Sequence, residues 1–133
     1  MKVGLDTSVV LRLLTGQPVA QAAAAVALLD DLQRRGDRAV LSDLVVAETY
    51  FALQHHYGVK KADALKALRC LFEDDEIEST GEARAVLATR GLAAAKPGFV
   101  DRLIHRAYIS TGGHMATFET ASVKLNAVIV LGR

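Results

Sequence analysis

The chain reads as an α/β fold with a mainly parallel central sheet of about four to five strands covered by helices on both faces. Three observations predict this. Short apolar runs of strand length stop abruptly at residues that cap helices. Segments of helical periodicity separate those runs, as crossover connections between parallel strands require. The 133 residues are 51% hydrophobic and 23% charged, the balance of a single globular domain spanning 1–133.

Met1-Lys2-Val3-Gly4-Leu5 is a first strand, and it ends at Asp6-Thr7-Ser8, whose side chains can cap a helix over 9–14. Thr15-Gly16 ends that helix, and Pro18 fits the first turn of a second one, where its missing N–H does no harm. Val19, Ala22, Val26, Leu29 and Leu32 recur at helical spacing as the expected apolar face, up to Arg34-Arg35-Gly36. Ala39-Val40-Leu41 is a buried-strand candidate, and Ser42 caps a helix expected over 43–57 and stopped by Gly58.

The next helix, over 60–72, presents Ala64, Leu65, Leu68, Leu71 and Phe72. Glu73-Asp74-Asp75-Glu76 then reads as a solvated turn, and Ile77-Glu78-Ser79 as a weak strand. Ser79-Thr80-Gly81-Glu82 has capping-box spacing ahead of a helix expected to run to Ala93-Ala94-Ala95. Pro97-Gly98 punctuates, a helix follows over 99–111, and Gly112-Gly113 stops it. Strands over 114–118 and 127–131 flank a short helix over 119–125.

Composition excludes several functions. With 16 Lys+Arg against 15 Asp+Glu, the formal charge is +1, too little to hold nucleic acid by net charge alone. The single cysteine, Cys70, permits neither an internal disulfide nor a thiolate cluster, favours a reducing, cytoplasmic location, and is expected to be a small buried hydrophobe. Asp6 and Arg12 interrupt the apolar start that a signal peptide would need, and the alanine-rich stretch over 19–29 is too short to span a membrane. No glycine-rich dinucleotide fingerprint follows the first strand.

Ligands of open parallel sheets gather outside the carboxyl ends of the strands, and carboxylates recur there. Asp6 follows the first strand and Glu119 follows the strand over 114–118, while Glu48 and Asp101 lie early in helices. Each is a lone acid in an apolar segment, where burial of the charge is costly without a partner. Any one of them is equally a salt-bridge partner or a helix N-terminal charge. Four converging on one edge repel one another unless hard cations such as Mg²⁺ or Mn²⁺ offset the charge. Such a site suits phosphodiester hydrolysis.

Asp6-Thr7-Ser8-Val9-Val10-Leu11, Val45-Val46-Ala47-Glu48, Phe99-Val100-Asp101-Arg102-Leu103-Ile104 and Ala116-Thr117-Phe118-Glu119 occur in this order across the chain. Together they resemble the PIN-domain family, and within it the VapC-type toxin ribonucleases. The resemblance implies a three-layer α/β/α fold, a Mg²⁺- or Mn²⁺-dependent endoribonuclease, a homodimer and a cognate antitoxin of a type II toxin–antitoxin pair. It makes Asp6, Glu48, Asp101 and Glu119 the catalytic and metal-holding acids, with Ser8 orienting the first. The fourth acid in the family is usually Asp, so Glu119 is a departure, and the alternative reading is a catalytically weak PIN-like module that binds RNA or protein. A phosphotransfer enzyme with Asp6 as nucleophile fits less well, because Ser8 stands where a second Asp is wanted.

Other residues have two readings. Thr117 is a strand-end cap or a hydrogen-bond partner of a carboxylate; Arg102 is a solvated helix residue or a phosphate contact. His55 and His56 are consecutive and therefore point to different helix faces, a poor metal pair. His105 lies one turn after Asp101, without a role in the family pattern. The segments 9–14 and 22–27 are core, or, by the resemblance, a groove for a helical segment of the antitoxin. With the four acids set aside, 16 basic residues face the 11 that remain of 15 acidic ones, leaving a basic surround suited to a phosphate backbone.

Overall fold

Strand β1 (Lys2–Gly4) leads into helices α1 (Thr7–Thr15) and α2 (Val19–Arg35), which return the chain to β2 (Arg38–Leu41). The computed structural model describes residues 1–132. Asp6 caps α1 from an extended backbone, and Gly16 closes it at φ 70°, where a residue without Cβ avoids the clash with the following carbonyl. Pro18 occupies the N-cap of α2 rather than its first turn. Among the described residues no single helix is long and apolar enough to cross a membrane, and α1 and α2 meet at a bend of 106°.

From β2 the chain crosses through α3 (Asp43–His55) and α4 (Lys61–Leu71) to β3 (Ile77–Ser79). The three strands pair in parallel in the order β1-β2-β3. In central β2, Ala39 and Leu41 are buried at alternate positions, as side chains on one face of a strand must be. Helix α5 (Ala83–Leu87), a 3₁₀ turn (Leu92–Ala94) and α6 (Phe99–Ile109) follow. Strands β4 (Met115–Thr117) and β5 (Val128–Val130), joined through a second 3₁₀ turn (Thr120–Lys124), form their own parallel pair.

The result is an α/β fold with a parallel sheet. Its strands are divided three plus two rather than joined in one sheet. Strands of three residues offer few ladder bonds, so little pairing energy is available to join the two sets into one sheet. Helix α1 packs on α2 and α3, α3 on α4, α4 on α5, and α5 on α6. Leu41, Val46, Ala64, Leu65, Leu68 and Phe99 are among the side chains that fill the core between these elements.

Four local expectations are corrected. On α2, Ala22, Ala25 and Leu32 are buried while Val19 and Val26 are exposed, because the helix packs on α1 and β2 by the side that carries the first three. The helix expected to run to residue 95 stops after Leu87, and Gly91 at φ 67° turns the chain into a separate 3₁₀ segment. Its N-terminus is capped only in part by Ser79, whose Oγ accepts from Arg84 N–H at 3.4 Å: the Asp43 carboxylate of α3, rather than a reciprocal Ser79–Glu82 box, accepts from Glu82 N–H and Ala83 N–H at 2.9 Å. Cys70 is exposed, with Sγ 3.7 Å from Glu73 Oε1, because α4 buries Ala64, Leu65 and Leu68 on its other side.

Candidate functional site

Parallel pairing of β1 with β2 brings the starts of α1 and α3 to the same sheet edge, since both helices begin within three residues of their strands. Leu5 N–H donates to Val40 O at 3.0 Å and carries the pairing to the turn itself. Asp6 stands at that edge. Its Oδ1 accepts from Thr7 N–H at 2.8 Å, and its Oδ2 accepts from Ser8 Oγ–H at 3.3 Å. One carboxylate oxygen thus caps the helix, and the other is steered by the hydroxyl two residues on.

Glu48 is the sixth residue of α3, roughly 9 Å along the axis from the N-cap Ser42 at about 1.5 Å per residue. Asp101 lies in the first turn of α6. The Tyr50 and Phe99 rings meet edge to face at 5.1 Å, tying together the two helices that carry these acids. Glu119 caps the second 3₁₀ turn: Oε1 accepts from Ala121 N–H at 3.1 Å, and its own N–H donates to Thr117 Oγ1 at 3.0 Å. Thr117 therefore acts as the strand-end cap.

All four acids are exposed, so the desolvation cost expected of acids in apolar segments does not arise. Leu5, Val46 and Leu103 are buried beside Asp6, Glu48 and Asp101, while these carboxylates remain in water. Among the described residues, none of the four is in an ion pair. Nor do any three Asp, Glu, His or Cys side chains, among the described residues, lie together as a metal ligand set. Glu48 is displaced along α3, and Glu119 is held by its own turn on the separate β4–β5 pair.

The donor set nonetheless suits Mg²⁺ or Mn²⁺. It offers only carboxylate oxygens, and Mg²⁺ retains several waters and is held by one or two carboxylates together with substrate phosphates rather than by a protein cage. Asp43 contrasts with the four: both its oxygens are consumed by the α5 N-terminus, which makes it a structural acid at the same edge. Its partner lies 39 positions away, so no local signal in the sequence distinguishes it from a ligand.

His105 has a structural role as well. It is buried, and Nε2 donates to Asn126 O at 2.7 Å, fastening α6 to the turn before β5. Arg102 is half-buried, and its Nε–H donates to Pro97 O at 2.7 Å. Between α1 and α2 an open groove of about 490 Å³ is lined by Ser8, Val9, Arg12, Gln21, Ala24, Ala25 and Leu28. Arg12 is held there by Gln21 Oε1 at 2.8 Å. The groove reaches Ser8, the hydrogen-bond partner of Asp6.

A parallel α/β fold with Asp6 and Glu119 just past strand ends and Glu48 and Asp101 on nearby helices is the architecture that the family comparison addresses. The PIN domain family model matches residues 3–124, and the chain belongs to the PIN domain family. PIN domains are commonly metal-dependent nucleases. No curated protein and no solved structure gives a significant match.

Proposed function

We propose that this chain is a Mg²⁺- or Mn²⁺-dependent endoribonuclease, the toxin of a type II toxin–antitoxin pair acting in the cytoplasm. The observation that carries the reading is the Asp6 carboxylate, steered by Ser8 at the end of β1 and left without a cationic partner among the described residues. Asp6, Glu48 and Asp101 would hold the cation directly or through water, with Glu119 completing the set. When bound, the cation supplies Lewis acidity toward the phosphate and makes a water more acidic. Ser8 keeps Asp6 Oδ2 in one orientation, and the Thr7 N–H fixes Oδ1, so the carboxylate is preorganised before substrate arrives.

The α1–α2 groove suits a helical segment of a cognate antitoxin, because it offers small and apolar anchors beside one guanidinium. A helix seated there would cover Ser8 and, with it, access to Asp6. A homodimer belongs to the same reading. Pulse expression followed by sequencing of RNA 5′ ends tests it. Wild type should arrest growth and generate new, discrete 5′ ends, both relieved by the neighbouring gene product, while Asp6→Asn should do neither. Equal arrest and equal cleavage by Asp6→Asn would sink the assignment. RNA binding without cleavage by wild type would instead favour the catalytically weak module, for which the tethering of Glu119 Oε1 to Ala121 N–H is the specific support.

A further inference from the structure

On α3, Glu48, Phe51 and His55 are spaced i, i+3 and i+7 and therefore share one helix face. All three are exposed. Phe51 is 45% exposed although it is a large aromatic, and its ring lies nearly parallel to the His55 imidazole, at 6.2 Å and 19°. Its orientation is set from below: the Tyr50 ring meets Phe51 edge to face at 5.3 Å, and buried Phe99 holds Tyr50 at 5.1 Å. The stacked Phe51–His55 pair thus stands exposed at the surface on a buried aromatic support.

Beyond the platform the chain turns basic. Lys60 and Lys61 follow His56, all three are exposed, and no carboxylate occurs from Phe51 to Lys61. Among the described residues neither lysine is in an ion pair. Aromatic faces followed by free cations are the two elements that bind single-stranded nucleic acid, the first stacking bases and the second following phosphates.

We propose that Phe51 and His55, with Lys60 and Lys61, form a track for single-stranded RNA that begins about one helical turn from Glu48 and guides the strand away from the candidate acidic site. The track rests on the ribonuclease reading for its direction, but not for its binding chemistry. Charge complementarity selects RNA as the occupant; a second copy of this chain would bring the same cations against themselves.

Fluorescence anisotropy of a labelled single-stranded RNA tests the track, with Asp6→Asn as the background so that the probe stays intact. Phe51→Ala should weaken binding at least about fivefold, and Phe51→Trp should restore it, because stacking tolerates any aromatic face. Lys60→Ala with Lys61→Ala should flatten the dependence of log affinity on log salt by roughly 0.7 per lost phosphate contact. Circular dichroism confirms that each variant is folded. Unchanged affinity in Phe51→Ala overturns the proposal. So does a loss of dimer on sedimentation with RNA affinity intact, which would assign this face to a second copy. Cleavage of the same RNA by the wild-type chain separates the two readings. Binding through Phe51 without cleavage removes the nuclease and keeps the track; cleavage with Phe51-independent binding does the reverse.

Discussion

Removing the Asp43 carboxylate should loosen the sheet edge on which Asp6 stands, by an amount that the hydrogen bonds define. Asp43 accepts from Glu82 N–H at 2.9 and 3.0 Å and from Ala83 N–H at 2.9 Å. Ala83 is fully buried, so Asp43→Ala leaves its N–H with no route to water, at about 1–3 kcal/mol for an unsatisfied buried donor. Water can reach the half-buried Glu82, and that bond adds closer to the 1 kcal/mol of an ordinary N-cap. The expected destabilisation is about 2–4 kcal/mol.

Gly81 supplies the control. A Cβ there would lie 2.4 Å from Asp43 Oδ2, so Gly81→Ala must displace the same carboxylate. In an Asp43→Ala background that clash is gone. The double-mutant cycle, measured by urea denaturation with equal m-values, should therefore show a coupling of at least about 1 kcal/mol. Additive effects would refute the claim that Gly81 is small in order to admit Asp43.

Two further predictions concern other fastenings. His105→Leu removes the bond to Asn126 O and should cost about 1–3 kcal/mol, with faster amide exchange at Met115, whose N–H donates to Ala127 O. The N-terminal ammonium, hydrogen-bonded to Asp37 and assisted by Arg35, holds the Asp37 carboxyl below its ordinary value. A depressed folded-state pKa contributes stability above the unfolded value of about 3.9 that is lost as pH falls through the lower folded value. Asp37→Asn should accordingly flatten the acid limb of the stability profile.

Much of the fold is legible because its signals are local. Ile77–Ser79 is read from the sequence with the boundaries that the structure gives, and Asp6 and Ser42 cap α1 and α3 as their side chains dictate. What is missed depends on partners far along the chain. The Glu82 and Ala83 N–H groups at the start of α5 are satisfied from α3, so the capping-box spacing at Ser79–Glu82 names only one of the acceptors, Ser79 Oγ for Arg84 N–H. The alanine run ahead of Pro97 suggests a continuous helix, but Gly91 in the left-handed region divides it. The division of the strands into β1-β2-β3 and β4-β5 leaves no mark on strand composition.

For the site, sequence locates four acids near strand ends but not their surroundings. An acid flanked by Leu, Val and Ile looks buried in one dimension, whereas on a helix its neighbours rotate inward and the carboxylate faces water, as Glu48 and Asp101 do. The Phe51–His55 platform is missed for the same reason: the pair becomes visible only when the i, i+4 geometry and the exposure of both rings are known.

The most direct test of the account is cleavage of RNA by the purified chain with Mg²⁺ or Mn²⁺, compared with Asp6→Asn and with EDTA. The amide is as good an N-cap as the carboxylate, so the variant keeps the Thr7 bond and the fold while losing the charge. The account predicts metal-dependent cleavage by wild type, its loss in EDTA, and a rate lower by at least about 100-fold in Asp6→Asn with an unchanged melting temperature. Cleavage by the variant at the wild-type rate, or cleavage that survives EDTA, would contradict it.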